Sequence, residues 1–127
     1  MSTKFSPRVF KTAWFSKTAK KSRIEDTDLC AAVRDVQQGQ ADDLGGGVFK
    51  KRLNDNLHRS IILAKGGQYW VYTYLFAKQD RANISPSELA AFRKLAEAYA
   101  LKTASEVGIE LRNGDLLELC HDKQKQI

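Results

Sequence analysis

Apolar and polar positions repeat with two different periods along this chain, and the switches between them divide it into elements. Residues 8–11, RVFK, suit a short strand. Residues 12–23, TAWFSKTAKKSR, predict a short helix, with Trp14, Phe15 and Ala19 toward the core and Lys17, Lys20 and Lys21 outward. Residues 24–39, IEDTDLCAAVRDVQQG, predict a clearer helix. Leu29, Val33 and Val36 fall on one face, and the acids of its first turn complement the macrodipole. Asp26 or Thr27 is placed to cap its start, and Gly39 stands at the position after its end.

The stretch DDLGGGVFKKRLN opens with three glycines and becomes a strand over residues 48–53. A phosphate-loop reading of these glycines is weak, because a strand follows them rather than a helix and no Gly-Lys-Ser/Thr is present. They read better as a flexible lead into the strand. Residues 57–78, LHRSIILAKGGQYWVYTYLFAK, hold two apolar runs joined at Lys65–Gly66–Gly67–Gln68, a hairpin signature. Together with residues 48–53 this predicts a three-strand antiparallel meander.

The best-signalled helix follows. Ser85 suits the N-cap, Pro86 the first helical position, and Glu88 closes a capping box, with Ile84 and Leu89 spaced as a hydrophobic staple. Leu89, Phe92, Ala96 and Tyr99 make its apolar stripe. A second short helix to about Asn113–Gly114 and a strand near Leu116–Leu119 come next, and the final residues, DKQKQI (122–127), read as frayed. No repeat or linker interrupts residues 1–127, which read as a single domain. The order β, α, α, β, β, β, α, with a small addition, predicts an α+β two-layer domain. Its antiparallel-meander sheet has about four strands, with helices packed on one face and the other face free.

Composition narrows the class. A chain of 127 residues buries roughly two-thirds of its unfolded surface, enough for a core without staples. No apolar run approaches the ~20 residues of a membrane span, and no apolar stretch follows the basic N-terminus as in a secretory signal. Cys30 and Cys120 lie far apart with no C-x-x-C spacing. They read as two thiols, neither a disulfide framework nor a zinc site, which fits a reducing cytoplasm. No metal or other cofactor is implied.

Charge changes the picture more. The net charge is +6 and the pI about 9.4. Residues 1–23 hold seven Lys/Arg and no acid, and residues 48–81 hold seven Lys/Arg against two acids. Residues 24–47 hold six acids against one Arg. A basic surplus gathered into two blocks suggests a polyanionic partner, most simply nucleic acid.

Strand alternation locates part of that charge. Phe49 and Leu53 share a face with Lys51 between them, and Lys50 and Arg52 point from the other. If the Phe/Leu face meets the helices, Lys51 must snorkel at an edge. In the last strand of the meander Trp70, Tyr72, Tyr74, Phe76 and Lys78 are in phase. Lys78 and Arg81 stand where that strand leaves the sheet. An antiparallel meander lets Lys50, Arg52, Arg59, Lys78 and Arg81 converge, and such a cluster repels itself unless an anion occupies it.

The run LGGGVFKKRL…HRSIILAKGGQYWVYTYLFAKQDRANISPSELAAFRKLAEAY, behind RVFKTAWFSKTAKK, resembles the RelE/HigB-like toxins of bacterial type II toxin–antitoxin modules over roughly residues 8–122. The resemblance implies a RelE-like fold and a ribosome-dependent endoribonuclease, an mRNA interferase that cuts messages in the ribosomal A site and so inhibits translation. It implies a cognate antitoxin, with a DNA-binding helix-turn-helix, that neutralises the toxin and joins it on operator DNA. It implies catalytic residues at Lys50, Arg52, Arg59, Lys78 and Arg81, and RNA contacts by these together with Lys51. The sequence departs from several relatives: residues 48–53 hold no acid, and the tail offers His121 and Asp122 but no Tyr. The general base is therefore open among His121, His58 and Lys50.

The chemistry suits these residue types. The substrate's own 2′-OH would attack the adjacent phosphate, leaving a 2′,3′-cyclic phosphate. The protein would align the groups and stabilise charge on the phosphorane oxygens. Arginine forks bind two such oxygens at once. A lysine crowded by cations gives up its proton more readily and can act as a base. Two other functions fit the same fold: a ParE-like gyrase inhibitor, and a non-catalytic nucleic-acid-binding module.

Overall fold

In the computed structural model, which describes residues 7–120, β1 (Arg8–Thr12) runs directly into α1 (Ala13–Lys21). The Thr12 hydroxyl caps that helix by accepting the Phe15 N–H at 3.1 Å. α2 (Asp26–Gln37) starts one residue before the sequence suggested. Glu25 is the N-cap, and its own N–H is taken by the Asp28 carboxylate at 3.0 Å. Then come β2 (Asp42–Gly45), β3 (Val48–Leu53), β4 (His58–Leu63) and β5 (Tyr69–Ala77). A single 3-10 turn, Lys65–Gly67, joins the last two. α3 (Pro86–Leu101), α4 (Ala104–Asn113) and β6 (Leu116–Leu119) follow. The class is α+β, with six strands in the order β2-β3-β4-β5-β1-β6, antiparallel except where β1 pairs parallel with β5.

The expected meander is β3-β4-β5. The sheet is larger than expected because both of its flanks recruit strands. β1 returns beside β5, and β6 pairs with β1. At the other edge, the glycine stretch is a hairpin rather than a flexible lead: Asp42 and Asp43 pair with Lys50 and Phe49. Gly46 and Gly47 are required there. Both have positive φ, and a Cβ on Gly47 would lie 2.6–2.8 Å from Lys65. A Cβ on Gly46 would meet Arg93 Cγ at 2.7 Å.

Helices cover both faces, so the expectation of a free face is corrected. On one face Phe15, Ala19, Leu29, Val33 and Val36 of α1 and α2 pack on Val9, Ile62, Trp70 and Tyr72. The buried Tyr72 hydroxyl donates to Leu29 O at 2.7 Å, and burial pushes its pKa up. On the other face Phe92, Ala96 and Val107 of α3 and α4 pack on Phe10, Val48, Ile61 and Val71. Each fully buried side chain of this size stabilises by about 1.5–3 kcal/mol. The nearly unbroken apolar run of β5 is the sign of a strand covered on both sides.

A second correction follows from β5. Ile61 pairs with Tyr74 but its neighbour Ile62 pairs with Tyr72, so Thr73 is an extra, bulged residue. Its hydroxyl donates to Ile61 O at 3.1 Å. The bulge reverses the alternation. Trp70 and Tyr72 face α1 and α2, while Tyr74 and Phe76 face α3.

The cysteines are the third correction. Cys30 on α2 and Cys120 after β6 form a disulfide, with Cα atoms 5.5 Å apart. They are 90 residues apart in sequence, and the fold brings them together because α2 lies over the sheet face that Leu119 joins. The cysteines therefore do not argue for a reducing compartment. No helix among the described residues is long and apolar enough to cross a membrane.

Candidate functional site

Residues directly opposed across antiparallel strands project from the same face. In this register Arg52 of β3 opposes Arg59 of β4, which opposes Phe76 of β5. The row two residues along is Lys50, Ile61 and Tyr74. Both rows lie on the face covered by α3, so Lys50 and Arg52 share a face as the alternation predicts, and the register adds Arg59, whose face alternation left open.

Arg81 joins them from the loop after β5. Its guanidinium lies over the Phe76 ring, 5.6 Å from the centroid. One nitrogen donates to the Tyr74 hydroxyl at 3.2 Å and to Glu88 at 3.1 Å, and another donates to Glu88 at 2.6 Å. This two-pronged pair fixes the plane of the guanidinium. The Arg81 hydrogen bond is the main reason that the Glu88 carboxyl is held at about 2, with the Ser85 N–H adding to it. Glu88 also does what the capping box requires: it accepts the Ser85 N–H at 2.6 Å, while the Ser85 hydroxyl accepts the Glu88 N–H at 3.2 Å. The cap of α3 and the orientation of Arg81 thus share one carboxylate. The sequence signalled Glu88 as a cap, but its hold on Arg81 needs the loop to fold back.

Charge compensation across the group is uneven. Lys50 Nζ lies 3.7 Å from Asp42, and Arg81 is matched by Glu88. Among the described residues the Arg59 guanidinium donates only to the backbone carbonyls of Asn56 and His58, at 3.1 and 3.2 Å. Arg52 is exposed, with no acid partner among the described residues. Two uncompensated guanidiniums facing each other make a site for an anion.

Of the remaining predicted residues, Lys51 and His58 lie on the opposite face. Lys51 points to the opposite face, where it reaches Asp35 of α2 at 3.3 Å and Gln40 O at 3.1 Å. It snorkels along the edge as its position demanded. Lys78 is exposed just past β5 and lines a pocket of about 380 Å³ with Leu57, His58, Ala77 and Gln79. His58 opposes Ala77 and projects from the face opposite to Arg59, with Nδ1 3.2 Å from the Asn54 amide. His121, like the tail 123–127, lies outside the described residues. Among the described residues no three His, Cys, Asp or Glu side chains gather as metal ligands.

Three aromatic residues of this face were not read from the sequence as part of the site: Trp14, Tyr74 and Phe76. Trp14 was expected in the core. It is 49% exposed, and its ring stacks on Tyr74 at 5.3 Å between centroids and 24° between planes. The signal that misplaces it is its neighbour Phe15: two adjacent aromatics cannot share one helix face, and Phe15 is the buried one.

No curated protein and no solved structure matches the chain. A family model described as the RelE toxin of the RelE/RelB toxin–antitoxin system matches residues 7–119, which include every described strand and helix. The chain therefore belongs to the RelE toxin family of RelE/RelB toxin–antitoxin systems, whose toxins have a cognate RelB antitoxin.

Proposed function

We propose that this toxin is a ribosome-dependent mRNA endoribonuclease, acting in the cytoplasm, that arrests translation. The observation that supports it most is the facing pair Arg52 and Arg59, held in register beside Arg81 with no acid partner among the described residues. A scissile phosphate seated between these guanidiniums would have its non-bridging oxygens bound while charge builds on the phosphorane. The attacking group is the 2′-OH of the preceding ribose. It bonds to phosphorus as the bond to the 5′-oxygen breaks, giving a 2′,3′-cyclic phosphate and a 5′-hydroxyl.

One proton leaves the 2′-OH and one reaches the 5′-oxygen. Lys50 shares the arginine face and is the favoured carrier from the described residues. His121 stays in the proposal on sequence alone. His58 does not, because β4 alternation turns it away from Arg59. Lys51 lies on the opposite face of the sheet, and it and Lys78 are proposed to contact flanking RNA. The antitoxin, proposed to carry a helix-turn-helix, would neutralise the toxin and join it on operator DNA.

Programmed ribosomes carrying a message with ribose or deoxyribose at the scissile position test this directly. The ribose message should be cut to a cyclic phosphate end, and the deoxy message should bind and resist. Cutting at the deoxy position would remove the 2′-OH from the mechanism. If no message is cut while gyrase is inhibited, the ParE-like reading replaces this one. RNA binding without cleavage or gyrase inhibition favours a non-catalytic module.

A further inference from the structure

The basic block at residues 1–23 is not used by the arginine face, and Trp14 lies within it. Trp14, Lys17 and Lys21 stand at positions i, i+3 and i+7 of α1, and all three are exposed. They therefore share one face of the helix. One edge of that face is joined to the arginine site by contacts already described: Trp14 stacks on Tyr74, and the Tyr74 hydroxyl accepts a hydrogen bond from Arg81. Tyr74 is supported in turn by Phe76 and Phe92, at 5.7 and 6.0 Å between centroids. The indole is thus backed by a packed aromatic wall and presents its outer side to solvent.

We infer that Trp14 is a base-stacking platform for a nucleotide next to the scissile phosphate, with Lys17 and Lys21 contacting the phosphates that lead away from it along α1. Three features favour RNA over a protein partner here. The indole is held rigidly by its stack on Tyr74, which suits a flat π-face. Its companions on the helix face are cations rather than apolar side chains. The surface continues into the uncompensated arginines. Aromatic faces beside a track of cations are how single strands are held without strict sequence preference. The position beside Arg81 gives the toxin a hold on an unstacked base that does not depend on base identity. The identity of the RNA as a message under cleavage rests on the proposed ribonuclease; the stacking contact does not.

The protein contains two tryptophans, and Trp70 is buried at 9% exposure, so Trp14 is the exposed fluorophore. Titration with a fluorescently labelled single-stranded oligoribonucleotide at low salt should quench Trp14. An abasic oligomer with the same phosphates should bind more weakly and quench little. Trp14→Ala should lower affinity for the intact oligomer by about 10- to 100-fold and leave the abasic one unchanged, while Trp14→Phe keeps most of the affinity. Replacing both Lys17 and Lys21 by Ala should reduce the slope of log affinity against log salt by about 1.4. On programmed ribosomes Trp14→Ala should cut more slowly.

Equal quenching by intact and abasic RNA, or equal losses on Trp14→Ala, overturns the stacking contact. So does binding of the oligomer, seen by anisotropy, without quenching, or no binding at any concentration. Loss of antitoxin binding in Trp14→Ala with RNA binding unchanged assigns the surface to a protein and also overturns it. Base-dependent quenching by a toxin that cuts no message supports the platform while the ribonuclease reading fails, so the two are separated.

Discussion

Arg52 and Arg59 face each other directly across β3 and β4, and neither guanidinium is paired with an acid among the described residues. Like charges in such opposed positions destabilise a sheet by roughly 0.2–1 kcal/mol. Arg59→Ala should therefore leave the fold intact, or slightly firmer, while the rate of message cleavage falls ~10²–10³-fold. Growth arrest on expression, together with a urea melt, checks both halves. Undiminished arrest by a folded variant would remove Arg59 from the mechanism.

Ser85→Ala removes the hydroxyl that caps α3 but leaves the Ser85 N–H to Glu88. Stability should drop by about 1 kcal/mol, read as a lower urea midpoint, with little change in cleavage. An unaltered midpoint would mean that the cap contributes nothing.

Glu88 predicts a pH dependence. Its carboxyl is depressed from its ordinary value of 4.5 to about 2, first by Arg81 and then by the Ser85 N–H. Its charged form is bound more firmly in the folded protein than in the unfolded chain. The stability it contributes is present in full above about pH 4.5 and is lost as pH falls toward 2. The difference in urea midpoint between the native protein and Glu88→Gln should be constant from pH 5 to 7 and shrink below 4.5. Because the pair is open to solvent, salt should reduce the difference. A difference that grows on acidification contradicts this account.

The Cys30–Cys120 bond closes most of the chain into one loop, with a sequence separation of 90. Reduction, or Cys30→Ala with Cys120→Ala, should lower stability by about 2–4 kcal/mol. Denaturant melts with and without a reductant measure it. Coincident melts would show that the bond adds nothing to the folded state.

Gly47→Ala should cost more than ~2 kcal/mol, because it puts a Cβ against the Lys65 backbone at a positive φ. Gly66 also has positive φ, but a Cβ there meets nothing, so Gly66→Ala should cost less. Comparing the two by thermal melting isolates the clash from the backbone strain.

Spacing along the chain is enough for whatever depends on near neighbours. The Ser85–Glu88 box, Gly114 ending α4, the turn at Lys65–Gly67 and the common face of Lys50 and Arg52 all follow from spacing, and all are present. Lys51 was legible too, since a cation between Phe49 and Leu53 had to reach an edge. Features that depend on distant partners became visible only in the folded chain. Strict alternation put Tyr72 and Tyr74 on one side, but the Thr73 bulge separates them, because β5 pairs with β4 in two registers around Ile61 and Ile62. That shift is set by backbone hydrogen bonds to another strand, which side-chain periodicity does not report. It turns Tyr74 and Phe76 toward Arg81 and makes the aromatic wall behind Trp14. The pairing of Cys30 with Cys120 depends on β1 lying between β5 and β6, which brings residues so far apart in sequence into contact, and the second face is covered because α3 folds back over β3 and β4.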